Sequence, residues 1–275
     1  SVGSKCAQLG EMKSQLGLPT PDGFAISAWA YKHFVDANDL QTRVSRCIDS
    51  VDFKRVGDLQ RVSEEIRAMV LSSPVPEDLA EEIRGRYTEL KERAPSAGVA
   101  LRSSAIGEDT LFSFAGQYES FLNVGPDDLI DRYRDVLVSK FTPQAIYYYL
   151  SHSLSEADLA MAVGCVTMVD ATSSGVIYTR DPILPGDDSL VIYSIFGLGK
   201  YLVDGTLMPD VFRVSRENLR VEEAEIQRKP VKLVASEEHG TVEAPVPEAE
   251  QRLPSLSEDQ VKQLAEFALK VEEHY

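Results

Sequence analysis

The residues best equipped for chemistry lie in VALRSSAIGEDTLFSFAGQ, from Val99 to Gln117. The apolar run before Arg102 suits a buried strand, so the arginine is expected where that strand ends and the loop of Ser103, Ser104, Ala105 and Gly107 begins. Open α/β sheets bind ligands at such strand ends. A guanidinium presents a planar fork of donors that matches phosphate, and serine hydroxyls with loop N–H groups complete an anion cradle. The competing reading is an arginine that pairs with Glu108 or Asp109 and merely orders its own loop. Gly116 and Gln117, after Phe112 and Phe114, mark a second tight turn.

Lys5 stands between Gly3 and the small residues Cys6 and Ala7, where a Gly-flanked loop opening a helix brings an ammonium to a phosphate. The spacing is not that of a GxxxxGK(S/T) phosphate loop. Gly197 and Gly199 form a GxG pair, but the next glycine, Gly205, comes six residues later and breaks the dinucleotide fingerprint. That stretch is either a loop beside a ligand or a simple turn. No Ser/His/Asp arrangement, GxSxG elbow or paired-carboxylate pattern emerges, which disfavours a hydrolase. Cys6, Cys47 and Cys165 are isolated, and the four histidines are scattered, so neither a disulfide frame nor a zinc site is expected.

Helices and strands must position these groups. Trp29, Phe34 and Val35 are expected on the core face of a helix capped by Ser27. Val62, Ile66, Met69 and Val70 recur at helical spacing, as do Leu79, Ile83, Tyr87 and Leu90 beyond Pro74 and Pro76. Leu129, Tyr133, Val136 and Leu137 repeat the pattern before Pro143. After about Asp158 the runs MAVGCVTMVD, GVIYT, SLVIYSIF and DVFRVS read as strands. Residues 235–257, rich in Glu and Pro, read as an exposed connection, and Ser257 with Gln260 forms a capping box for a last helix. The expected division is residues 1–158, rich in helix, and residues 159–275, rich in sheet.

The chain has 275 residues, 43% of them hydrophobic, enough for a substantial core. Its formal charge of −16 argues against non-specific binding to nucleic acid or to an anionic membrane, so an anionic ligand needs a local basic pocket. No apolar run approaches the roughly 18 residues of a membrane span. The first residues lack the zones of a signal peptide, and a cytoplasmic location is expected.

Taken in order, the motifs resemble the N-terminal nucleotide-binding domain shared by pyruvate phosphate dikinase and phosphoenolpyruvate synthase. VGSKCAQLGEM is similar to the family's VGGKxAxLGEM, and LPTPDGFAISAWAY to its LPVPPGFxITTxAY. LRSSAIGEDTLFSFAGQYESFLNV resembles VRSSAxxEDxxxxSFAGQxxTFLNV, and MVDATSSGVIYTRDP resembles MVxxxxSGVxFTxxP. FGLGKYLVDGTLMPDVFRV is similar to GLGExVVxGxVxPDxxxV, and the final segment resembles the helix before the family's DIEWA strand.

This resemblance implies an α+β, ATP-grasp-like fold of two lobes with ATP between them, trimmed here at both ends. It implies an ATP-dependent phosphotransferase of dikinase type, in which a histidine on a separate swivelling domain attacks the β-phosphate and AMP is released. Lys5 and Arg102 match the basic residues that hold ATP phosphates, with Ser103 beside them. Met168 and Val169 match the segment bordering adenine, Thr179 matches a position near the polyphosphate, and Gly197 with Gly199 matches the GLGE loop. Implied with them are Mg²⁺, whose ligands in the family lie beyond Tyr275, and phosphohistidine and pyruvate-binding domains as partners, with pyruvate as acceptor. The piece alone is expected to be inactive. Ser4, Val166 and Lys200 depart from the family's Gly, Gln and Glu. Those departures keep two further readings open: a non-catalytic nucleotide-binding regulatory domain, or a dikinase-like enzyme with another acceptor such as rifampin or a glucan.

Overall fold

Helices whose apolar residues recur every three or four positions surround the first sheet of the chain. The computed structural model describes residues 1–275 except 53–54, 96–97, 106–118, 153–159, 185 and 237. Contacts divide the described chain into two units: Ser1–Glu11 with Thr20–Met168, and Met12–Pro19 with Val169–Tyr275. Both mix helices with antiparallel sheet, so the fold is α+β.

In the first unit the elements are α1 (Gly3–Ser14, as far as Glu11), β1 (Gly23–Ile26), α2 (Ala28–Ala37), α3 (Leu40–Asp49), α4 (Asp58–Ser72) and α5 (Glu77–Arg93). They are followed by β2 (Val99–Ala105), β3 (Ser120–Val124), α6 (Leu129–Val138), α7 (Pro143–Ser151) and β4 (Met161–Thr167). The sheet order is β1-β4-β2-β3, antiparallel throughout. Val62, Ile66 and Val70 of α4, Ile83 and Leu90 of α5, and Leu129, Tyr133 and Val136 of α6 are buried against Leu101 and Val163 in one core. Fully burying an aliphatic or aromatic side chain of this size contributes about 1.5–3 kcal/mol. Thr142 caps α7 by accepting from the Ala145 N–H at 3.2 Å, with Pro143 supplying the preset φ of a first helical residue.

Two expectations fail here. Trp29 is 69% exposed and stacks on His33, whose ring nitrogen meets the Asp78 carboxylate at 3.0 Å. The buried face of α2 is Tyr31, Phe34 and Val35; a residue five positions before Phe34 lies well around the helix from it. β4, grouped with the second lobe by its composition, pairs with both β1 and β2 and lies in the first unit. Its nearly unbroken apolar run reflects a strand covered on both faces.

The second unit contains β5 (Ser173–Tyr178), β6 (Leu190–Phe196), α8 (Lys200–Val203), β7 (Asp210–Val214), β8 (Val221–Glu225), β9 (Val231–Ala235), β10 (Thr241–Pro245) and α9 (Glu258–His274). The order β5-β6-β7-β8 forms one sheet, and β9 with β10 forms a hairpin. Residues 235–257 therefore carry a strand, where the sequence suggested only a connection. Pairing with β9 makes the strand: the Thr241–Pro245 segment is too polar to announce itself. Val261 and Ala265 of α9 pack on Leu190, Ile192 and Phe212, and both halves of the Ser257–Gln260 capping box form.

This small apolar core is backed by a buried ion pair. Asp210 and Lys229 are both fully buried, with Nζ 2.5 Å from Oδ1. Asp210 also accepts from the Gln227 N–H at 2.8 Å and from the N–H and hydroxyl of Ser255, both at 2.7 Å. Among the described residues no helix is long and apolar enough to cross a membrane.

Asp210→Ala strands the Lys229 ammonium in this core and is expected to cost about 3–5 kcal/mol in urea unfolding. A second buried lysine, Lys140, lies 2.5 Å from the Tyr31 hydroxyl and over its ring. Burial pushes its pKa down to about 7 from 10.5. Between those values the unfolded chain binds a proton that the folded chain does not, so this group's contribution to stability rises with pH across that window and its penalty is full below about 7. Lys140→Met should flatten the slope, with a wild-type-minus-variant change of up to ~5 kcal/mol in unfolding measured across it.

Candidate functional site

Arg102 lies in the middle of β2, which runs three residues farther than the sequence suggested, because Ser103, Ser104 and Ala105 all pair with β4. Side chains alternate along a strand, so Arg102 and Ser104 share one face and Ser103 takes the other. Across the ladder Arg102 stands opposite Gly164. The start of α1 crosses this face: the Cys6 N–H donates to the Ser104 hydroxyl at 3.2 Å.

Two glycines permit that approach. Gly3 has φ +73°, and a Cβ there would stand 2.1 Å from the Ser104 carbonyl oxygen. A Cβ on Gly164 would stand 2.8 Å from the Cys6 sulfur. The packing thus brings the first turn of α1, with exposed Lys5, to the sheet face that carries exposed Arg102. The Ser4 hydroxyl on that turn is buried with no hydrogen-bond partner among the described residues. Ser103 is buried on the opposite face and is not brought to this group. No described carboxylate pairs with Arg102; Glu108, Asp109 and the second turn at Gly116 and Gln117 lie outside the described residues, as does Gly107.

Met168 closes the first unit, its N–H donating to the Gly98 carbonyl at 3.1 Å, and exposed Val169 opens the second. Val166 is a half-buried residue of β4 opposite Gly23 and Ala100.

In the second unit Thr179 immediately follows β5. Its carbonyl accepts from Arg216, which is also ion-paired with Glu272 of α9. The hydrogen bond from Arg216 holds the Glu272 carboxyl below its ordinary range. Beside them Arg213 pairs with buried Asp181, and that hydrogen bond depresses the Asp181 carboxyl. Sequence reasoning missed Arg216 and Glu272: 56 residues separate them, and no local pattern marks such a pair. Gly197 has φ +71°, and a Cβ there would meet the Leu233 carbonyl at 2.3 Å, so this glycine joins β6 to β9 closely. Gly199 precedes α8, whose first residue, Lys200, is exposed. Among the described residues no group of three His, Cys, Asp or Glu side chains is placed to hold a metal.

An α+β chain with a lysine-bearing helix start beside a strand arginine has the equipment of a nucleotide-binding domain. The family model described as pyruvate phosphate dikinase, AMP/ATP-binding domain matches residues 1–275, and the chain belongs to that family. Over its whole length it is 34% identical to a probable phosphoenolpyruvate synthase of Methanocaldococcus jannaschii, covering 23% of that protein. It is also 35% identical to the phosphoenolpyruvate synthase of Neisseria meningitidis serogroup B and 34% identical to that of Escherichia coli, covering 37% of each. The chain thus spans between 23% and 40% of the length of such relatives.

Gly3→Val is expected to force the start of α1 off β2 and to destabilise the chain by about 2–4 kcal/mol in urea unfolding, from a side chain at positive φ with no room. Gly10→Ala, at a helical position with open space around it, should leave stability level or slightly raised in the same measurement.

Proposed function

We propose that the chain is the ATP-binding part of a dikinase-type phosphotransferase that phosphorylates or pyrophosphorylates a histidine on a separate domain, with pyruvate as the final acceptor. The observation that carries this reading is the exposed Arg102 guanidinium on the sheet face crossed by the Lys5 turn, in a chain matched from residue 1 to 275 by an AMP/ATP-binding family. The names of the relatives support the acceptor and the reaction. An ATP-grasp-like arrangement of the two units belongs to the same proposal.

In this reading Arg102 and Lys5 hold the outer phosphates of ATP. Their fixed positive charges offset the negative charge that moves with the transferred group, without reorganising during the step. The close seat of α1 on β2 gives the two cations a common rigid base. Met168 and Val169 border the adenine, Thr179 faces the polyphosphate, and the Gly197–Gly199 turn lies beside it. Mg²⁺ is bound chiefly by phosphate oxygens and water in sites of this kind, with one or two protein oxygens. The described residues supply no ready carboxylate cage for it, and no step is assigned to it.

Calorimetry of ATP and AMP binding with Arg102→Ala tests this reading. A fork of charge-assisted hydrogen bonds serving only the outer phosphates predicts a loss of about tenfold or more for ATP and about twofold or less for AMP. An equal loss for both nucleotides would remove Arg102 from the outer phosphates. No heat from the wild-type chain with ATP, AMP or a non-hydrolysable analogue would overturn nucleotide binding itself.

A further inference from the structure

β1 stands at the edge of its sheet, and the bonds it makes toward β4 decide which of its backbone groups are left over. The Thr167 N–H donates to the Asp22 carbonyl at 2.8 Å, so these two residues are a hydrogen-bonded pair of the antiparallel ladder. Bonded pairs alternate with non-bonded ones. Phe24–Cys165 and Ile26–Val163 are therefore bonded, and Ala25, opposite Gly164, turns its N–H and carbonyl away from the sheet. Among the described residues nothing is hydrogen-bonded to that side of Ala25.

A cleft of about 240 Å³ runs along this edge. The consecutive residues Phe24 to Ser27 line it, and successive side chains of a strand point to opposite faces, so the cleft follows the edge itself. Leu79, Glu82, Ile83 and Arg86 of α5 supply a second wall, and Trp29 with Ala30 of α2 completes the lining. The exposed Trp29 ring is held by stacking on His33, which in turn meets Asp78 at the start of α5. Asp78 and Glu82 lie four residues apart on one side of that helix, and both carboxylates are largely exposed. Arg86 is already engaged, by Glu89 at 3.1 Å and Glu82 at 3.9 Å.

An outward N–H and C=O on a sheet edge match another extended backbone, and a helix beside the edge gives that backbone a groove to lie in. We propose that this cleft takes an extended peptide segment, which adds a strand along β1, seats a bulky apolar side chain beside Trp29 and meets Asp78 and Glu82 with a lysine or arginine. The charge of the occupant follows from the acidic rim, in a chain whose net charge is −16: a cationic residue is attracted there and an anionic one repelled. Trp29 supplies the kind of aromatic anchor on which binding surfaces concentrate their energy, and His33 sets its ring in advance. The inference does not rest on nucleotide binding.

Trp29 is the single tryptophan of the chain, so its fluorescence reads the cleft directly. The test titrates the peptide Lys-Val-Thr-Phe-Thr-Val-Lys into the 275-residue chain. A saturable blue shift of the emission is expected as the ring loses water. Glutamate in place of both terminal lysines should weaken binding about tenfold. Methylating the backbone nitrogens of the central Thr-Phe-Thr, which removes the donors a strand needs, should remove the shift. Ala25→Pro deletes the outward N–H while sparing the bonds to β4 and should weaken the lysine peptide about tenfold. Glu82→Lys, an exposed change, should weaken it by a similar factor and carries the test if circular dichroism shows that Ala25→Pro does not fold. No shift with the lysine peptide would overturn the proposal. So would equal binding of the methylated peptide, which would leave only an apolar cavity, or a blue shift that grows with protein concentration alone and accompanies a doubled mass in sedimentation, which would make the occupant a second copy of the chain.

Discussion

The antiparallel register between β2 and β4 is the constraint on which the candidate site depends. Seven consecutive pairs set Arg102 opposite Gly164, and a shift of one residue would send the arginine to the other face. Because Gly164 and Gly3 add no side chains, α1 descends onto the strands and is tied there by the Cys6–Ser104 hydrogen bond. A flexible ammonium and a guanidinium that would each be ordinary surface cations thereby acquire a common rigid base. Pre-organisation of this kind is worth more to anion binding than the number of charges, in a chain whose net charge is strongly negative.

The two units hold themselves together differently. The first buries a large continuous set of aliphatic and aromatic side chains between its helices and sheet. In the second a smaller apolar cluster lies under α9, and buried polar groups reach the loops that the cluster does not. Asp210 gathers Gln227, Lys229 and Ser255, three positions in loops and turns, onto the first residue of β7. A carboxylate with four donors and no free lone-pair direction tolerates burial that an unpaired one would not. Arg216 plays a comparable part at the other end of β7, joining the end of β5 to α9.

Much of this was legible in the residue pattern. Helical spacing marked α4, α5 and α6, proline and glycine marked their limits, and the Ser257–Gln260 pair marked the start of α9. The ordered motifs were enough to point to the family that the whole chain matches. Trp29 was misplaced because a ten-residue helix has two plausible faces, and only the neighbouring β4 and α3 select the one with Phe34. β4 was grouped with the strands that follow it because composition carries no information about hydrogen-bond partners. β10 was overlooked because a polar edge segment becomes a strand only when β9 is beside it.

The sequence by itself determined the local preferences and the chemistry on offer: helix periods, caps, strand-forming runs, and a short inventory of cations and glycines in a recognisable order. Those properties depend on residues close along the chain, where steric and hydrogen-bonding rules act directly. Only the tertiary structure decided that Ser104, not Ser103, shares the face of Arg102, that β4 completes the first sheet, and that Arg216 joins the Thr179 carbonyl to Glu272. Each of those outcomes is a pairing between residues tens of positions apart. Such pairings are chosen by the joint burial and hydrogen-bond satisfaction of the whole unit, which no local window of residues contains.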